Sequence, residues 1–212
     1  TLIISGAYVV GAIPSAFLLM RYLKGVDIRS YGSGNAGATN VMVHAGWWTG
    51  LALGTFDSLV KGALPVVLAR IFDQSLGVQA AAGLVAVAGH NWSPALRFTG
   101  GRGVATAIGV VLGFSLWWEF LILTVVMGLL GRLMYKDTGF WTLVAMVSLP
   151  VLTLIFDGPL EIVLTGVCIA AMLMAKRLIA NWEAPSSTHS IPLVLVYRLL
   201  WDRDVPRKSR WT

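Results

Sequence analysis

The sequence predicts an all-α, polytopic membrane protein, and three observations carry that prediction. Hydrophobic residues make up 57% of the 212 positions and charged residues only 12%, where a soluble domain carries about a quarter charged. Long apolar runs recur along the chain instead of occurring once, the pattern of repeated membrane crossings. The basic residues collect between alternate runs, so the net charge of +6 reads as membrane topology and not as a nucleic-acid surface. The single cysteine, Cys168, lies in an apolar run, which excludes disulfides and cysteine-rich metal sites.

Seven spans are expected, at about residues 2–22, 50–71, 76–92, 103–116, 118–135, 141–156 and 159–177. The first opens on Leu2-Ile3-Ile4 with no basic segment before it, so it reads as a span and not as a cleaved signal. Pro14 inside it requires that neighbouring groups satisfy the carbonyl that proline frees. Two later spans are short against the roughly 20 residues a bilayer asks for, which calls for tilt, a break or a shared re-entrant turn. The expected organisation is a membrane domain over residues 1–177 and a basic, partly amphipathic cytoplasmic tail over 178–212.

Arg21, Lys24 and Arg29 follow span one, Arg97 and Arg102 follow span three, and Arg132 and Lys136 end span five. Lys176, Arg177, Arg198, Arg203, Arg207, Lys208 and Arg210 lie at or beyond the end of span seven, so 14 of the 16 basic residues fall on one side. The exceptions are Lys61 and Arg70, and the opposite loops hold Asp73, Glu119, Asp157 and Glu161. The positive-inside rule then places the N-terminus outside and the C-terminus in the cytoplasm. Trp47, Trp48, Trp117, Trp118, Trp141 and Trp201 sit at span ends, the position of an interfacial aromatic belt. The apolar stretch Ile191–Trp201 with the charged end after it reads as a surface-lying or partner-docking segment, with simple disorder as the alternative for the last few residues.

Polar chemistry gathers in two islands on the cytoplasmic face. The first, Gly32-Ser33-Gly34-Asn35-Ala36-Gly37-Ala38-Thr39-Asn40, packs three glycines with short hydrogen-bonding side chains. Glycine lets a ligand approach bare amides, and a nest of amides at a helix start binds anions, so the run reads as a phosphate cradle. It has neither the Lys-Ser/Thr ending of a P-loop nor dinucleotide-fingerprint spacing. The second island begins with Gly89-His90 and continues through Gly100-Gly101-Arg102-Gly103-Val104-Ala105-Thr106. Its guanidinium supplies charge and its amides the remaining donors. His90 is either a hydrogen-bond partner at a span end or a catalytic group. Asp57 and Lys61, four apart in span two, suit an i,i+4 ion pair, either structural or lining the pocket.

These motifs together, with Asp57-x-x-x-Lys61-Gly62 between them, resemble the bacterial acyl-phosphate:glycerol-3-phosphate acyltransferases across all seven spans. The resemblance implies a seven-helix enzyme of the bacterial inner membrane that moves a fatty acyl group from acyl phosphate to the 1-hydroxyl of glycerol 3-phosphate. The resemblance further implies lysophosphatidic acid as the product, with no metal and no cofactor expected. Carried over, Ser33, Asn35, His90 and Arg102 are the expected catalytic residues. Gly32, Gly34, Gly37, Thr39, Asn40, Gly100, Gly101, Gly103, Thr142 and Arg177 are the expected substrate-binding ones. The chain departs from the family pattern at Val43, where an arginine is usual, and at Arg102, where lysine is usual. Thr142 is the only hydroxyl offered where the family places a serine, and the segment before Arg177-Leu178 lacks the family's histidine and asparagine. The first reading is therefore an active acyltransferase with a rearranged acceptor site. The alternative is a degraded relative serving as a subunit of a membrane complex, with partners met through the Trp-rich faces and the tail. A small-anion transporter is a distant third, since it would need more midplane charge than Asp57 and Lys61.

Overall fold

The computed structural model describes residues 2–130, 137–187 and 189–205, and among these every regular element is helical. Helices occupy all seven expected segments: α1 (Leu2–Gly11) with α2 (Ser15–Lys24), α4 (Trp47–Phe56) running through a π-helical segment Asp57–Ala63 into α5 (Leu64–Ile71), α6 (Leu76–Asn91), α7 (Val104–Gly113), α8 (Trp117–Thr124) with further turns over Val125–Leu130, α9 (Thr138–Ile155) and α10 (Leu160–Ile179). Among the described residues two more α-helices lie outside the spans, α3 (Ala38–Ala45) directly after the first glycine-rich run and α11 (Ile191–Trp201) near the end, with short 3₁₀ turns at Ile28–Ser30, Pro94–Leu96 and Ala180–Trp182. The end of span five, with Arg132 and Lys136, lies outside the described residues, as do Arg207, Lys208 and Arg210.

Four helical stretches are long and apolar enough to cross a membrane: Leu2–Lys24, Trp47–Ile71, Thr138–Ile155 and Leu160–Trp182. The large aliphatic side chains on their outer faces are exposed, among them Val147, Val151, Leu154, Leu160 and Leu164. Such inverted exposure suits a lipid solvent and would be a liability in water. This is a membrane protein.

The chain forms two compact units, one ending at Leu116 and the other beginning at Trp117. In the first unit, small residues let helices approach closely, the usual means of packing in lipid. A side chain at Gly11 would strike the Ala86 backbone, and one at Gly89 would strike the backbone of Tyr8 and Ala12. Ala7, Ala69, Ala82 and Ala86 fill the contact between them. Gly62 and Gly109 similarly allow the π-helical segment to lie directly on α7. The chain between α1 and α2 is non-helical at Ile13 and Pro14. The carbonyls left over are both satisfied: Ser93 Oγ donates to Ala12 O at 2.5 Å and Lys61 Nζ to Ile13 O at 2.7 Å.

The second unit holds α8 to α11. Asp137 caps α9, accepting from the amides of Gly139 at 2.9 Å and Phe140 at 3.2 Å, and it pairs with Arg203. Pro150 interrupts the hydrogen-bond ladder inside α9, where Thr153 Oγ1 donates back to Pro150 O at 2.9 Å. Arg198 of α11 is 3% exposed. It donates to Leu178 O at 3.0 Å and Glu183 O at 3.1 Å, and its Nε reaches Asp204 at 2.6 Å. The segment read as tail is thus fastened to the end of α10 as far as Asp204.

Candidate active site

The two glycine-rich islands lie in the first unit and pack against each other. Each ends at a helix N-terminus: Gly37 precedes α3 and Gly103 precedes α7. Gly103 has φ of +78°, a left-handed conformation that costs other residues about 1–2 kcal/mol. The fully buried Asn91 side chain lies under it, so a side chain there would also collide. Gly37 needs no such freedom, since its φ of −133° is ordinary extended backbone. A side chain at Gly37 would instead press on the Asn35 amide, with Asn35 Nδ2 3.0 Å from the Cβ position.

Three contacts join the islands. Ile28, Ala36, Val41 and Leu96 share one buried cluster with Met20 and Leu53. Arg29 reaches from the first loop to the second, donating to Thr99 Oγ1 at 2.9 Å and to Leu96 O at 3.3 Å. Gly101 lies so near Ala36 that its Cβ position is 3.0 Å from the Ala36 carbonyl oxygen. Asp27 fixes Arg29 with a two-pronged ion pair, Nη2 to Oδ2 at 2.7 Å and Nε to Oδ1 at 3.0 Å, and the guanidinium holds the Asp27 carboxyl below its ordinary pKa. Asp27 and Arg29 carry no motif signature. Arg29 reads from sequence only as one more topological charge, and its long reach to Thr99 has no local signal.

Within the first loop the residues divide into those turned to solvent and those that build the loop. Ser33 and Thr39 are exposed, and Asn35 is half-buried with its Oδ1 enclosed and without a hydrogen-bond partner among the described residues. Asn40 is 5% exposed and its amide donates to Tyr31 O at 2.9 Å, Asn35 O at 3.1 Å and Ile28 O at 3.2 Å. Its amide group therefore staples the loop and is not presented to a ligand. Gly32 (φ of +56°) and Gly34 (φ of +67°) make the turns that close the loop. Gly32 passes over His44, whose Nδ1 donates to Asn40 O at 3.0 Å.

In the second loop, Gly100 and Gly101 are buried and Arg102 is half-buried. His90 grips this turn twice. Its carbonyl accepts the Gly101 amide at 3.1 Å, and its imidazole Nε2 occupies the space a Gly101 side chain would need. The ring's other nitrogen, Nδ1, is 4.0 Å from Asp57 Oδ2.

Thr142 and Arg177 belong to the second unit. Thr142 Oγ1 donates to Thr138 O at 2.6 Å within α9. Arg177 is 2% exposed and donates to Leu199 O at 2.7 Å and Gly139 O at 2.8 Å, linking α10 to α11 and to the start of α9.

The family model for glycerol-3-phosphate acyltransferase matches residues 1–184. The chain belongs to that family. It is 37% identical over 222 aligned positions to glycerol-3-phosphate acyltransferase 4 of Dehalococcoides mccartyi, covering 99% of this chain and 91% of that protein. It is 41% identical over 186 positions to glycerol-3-phosphate acyltransferase 2 of Moorella thermoacetica, covering 84% of this chain and 92% of the relative. Among solved structures it resembles PlsY (YgiH), an integral membrane glycerol 3-phosphate acyltransferase, in its glycerol 3-phosphate form, with a TM-score of 0.75 and 30% identity over 83% of this chain and 86% of that one. The lysophosphatidic acid form of the same protein matches with a TM-score of 0.73. The similarity thus extends over the whole span of the seven expected segments.

Proposed function

We propose that this chain transfers a fatty acyl group from an acyl phosphate to the 1-hydroxyl of glycerol 3-phosphate, releasing phosphate and lysophosphatidic acid. The observation that carries the reading is the packing of Gly101 onto Ala36, which makes one site of two donor-rich loops. Ser33, Asn35, Thr39 and the loop amides opened by Gly32, Gly34 and Gly37 hold the donor phosphate. Gly100, Gly101 and Gly103 bring the second set of amides, and with the donor phosphate on the first loop the Arg102 guanidinium takes the phosphate of glycerol 3-phosphate. The acceptor hydroxyl oxygen attacks the acyl carbonyl carbon. The new ester C–O bond forms as the bond from that carbon to the phosphate oxygen breaks, and the departing phosphate takes the hydroxyl proton. Holding the two reactants together supplies roughly 7–11 kcal/mol, so no strongly basic side chain is required.

Asn40 serves this site by stapling its loop, whereas Arg177 joins helices within the second unit. The Thr142 hydroxyl is taken by Thr138 O within α9. Nothing in the comparisons supports the reading as a degraded accessory subunit, and relatives spanning 99% and 84% of the chain are named as acyltransferases. The test is direct. Purified protein given an acyl phosphate and saturating glycerol 3-phosphate should release phosphate and form lysophosphatidic acid in equal amounts. No release from folded protein would refute the reading.

We place the protein in the bacterial inner membrane with its N-terminus outside and the site facing the cytoplasm, on the asymmetry of its basic residues. Cysteines introduced at Ser33 and Glu183 should resist an impermeant thiol reagent in intact cells and react after lysis. Labelling in intact cells would reverse the orientation.

A further inference from the structure

Acyl transfer leaves one group of buried polar side chains without a purpose. Asp57 and Lys61, with side chains 1% exposed, are paired at 2.8 Å in the π-helical segment. Ser15 Oγ donates to Asp57 Oδ1 at 2.7 Å and accepts from Lys61 Nζ at 2.7 Å. Oδ1 is thus taken by two donors, while Oδ2 is turned toward His90, with Nδ1 4.0 Å away. That separation is too long for a hydrogen bond but short for a charge acting through a poorly screened interior.

Structural duty accounts for Lys61 and not for Asp57. Lys61 caps the Ile13 carbonyl at the Pro14 break, which a neutral donor could do. A buried ion pair is seldom more stabilising than well-packed apolar residues of the same volume, so stability is a poor reason for an aspartate here. What the carboxylate adds is negative charge aimed at one nitrogen of His90. The other nitrogen lies on Gly101, and the His90 carbonyl holds the Gly101 amide. A carboxylate beside one imidazole nitrogen selects the tautomer protonated there and fixes the ring's orientation.

We propose that Asp57, held by Ser15 and Lys61, is a positioning residue for the active site: it orients His90, and through His90 it seats the Gly100-Gly101-Arg102 turn against the first loop. The inference rests on the acyltransferase reading and deepens it. It makes the buried charges of the second span part of the acceptor's binding apparatus, acting through His90 and the turn and not by touching substrate. It also explains why the break at Pro14 stands beside the site, since Ser15 at the start of α2 is the residue that fills Oδ1.

The experiment uses full-length protein in detergent micelles, with acyl phosphate and varied glycerol 3-phosphate. The variant is Asp57→Asn combined with Lys61→Met, which leaves no unpaired buried charge. The expected result is a KM for glycerol 3-phosphate raised tenfold or more. His90→Asn should raise it by a similar factor, and adding His90→Asn to the double variant should raise it little further, because both changes release the same turn. A KM within twofold of wild type, or effects of the Asp57 and His90 changes that simply multiply, would overturn the proposal. If the double variant does not fold, Ser15→Ala decides. It alters no charge, and it should raise KM about threefold with kcat unchanged, whereas an unchanged KM overturns the proposal. Wild-type protein without turnover refutes the acyltransferase reading itself, an outcome distinct from active wild type with an indifferent Asp57.

Discussion

Replacing Gly101 by alanine tests the juxtaposition on which the site depends. The added methyl would lie 3.0 Å from the Ala36 carbonyl oxygen and closer still to His90 Nε2, where ordinary contact with carbon needs about 3.5 Å or more. Neither neighbour yields easily. Ala36 is 5% exposed within the cluster that binds the loops, and His90 is 7% exposed with its carbonyl holding the Gly101 amide. Relief therefore requires the two loops to separate by about an ångström, and a misplacement of that size costs on the order of 10²-fold in rate, or about 2.7 kcal/mol of transition-state stabilisation. Overpacking should also cost roughly 1–3 kcal/mol of stability. The assay is phosphate release in micelles, reported as kcat/KM for glycerol 3-phosphate, with thermal unfolding of the same sample. Gly6→Ala is the control, because nothing lies within 4 Å of its Cβ position; it should leave kcat/KM unchanged. A Gly101→Ala enzyme within threefold of wild type would refute the claim that the loops must touch.

Arg102→Ala should lower kcat/KM more than Arg102→Lys, since losing a charge-assisted bond to phosphate costs about 1.5–3 kcal/mol while lysine retains the charge and loses only the fork geometry; equal losses would remove Arg102 from phosphate binding. Asp27 has a folded pKa depressed chiefly by its hydrogen bond from Arg29, so its contribution is present above the unfolded value of about 3.9 and is lost as pH falls through the lower folded value. Thermal stability should decline in that acid range, and Asp27→Asn should flatten the decline; an identical pH profile in the variant would contradict the ion pair's role. Arg198→Ala should destabilise the protein by about 1–3 kcal/mol by leaving the carbonyls of Leu178 and Glu183 without their donor, read as a lower unfolding midpoint, and no shift would mean that α11 is not fastened through this residue.

The spans were legible in the sequence because membrane insertion reads a local, nearly additive property. A run such as Leu160–Ile179 is apolar whatever it packs against; each expected segment holds helix among the described residues, and four helical stretches are long and apolar enough to cross a membrane. The ion pair of Asp57 and Lys61 was legible for the same reason, since spacing along one helix fixes which residues meet. The glycine-rich islands announced themselves by composition, though not the work of each member: Gly37 needs no unusual φ, and Asn40 spends its amide on its own loop. Helix α3 has no clear signal in the sequence, because eight residues beside a polar loop carry too little periodicity. What only tertiary structure decided is the pairing of polar groups distant in sequence: Ser93 with Ala12, Ser15 with Asp57, Arg29 with Thr99, and His90 with Gly101. Hydropathy says that each of these groups must find a partner once buried, but which partner depends on how closely small residues such as Gly11, Gly62, Gly89 and Gly109 let the helices approach. That distance is a property of the packed helices together and is written in no single segment.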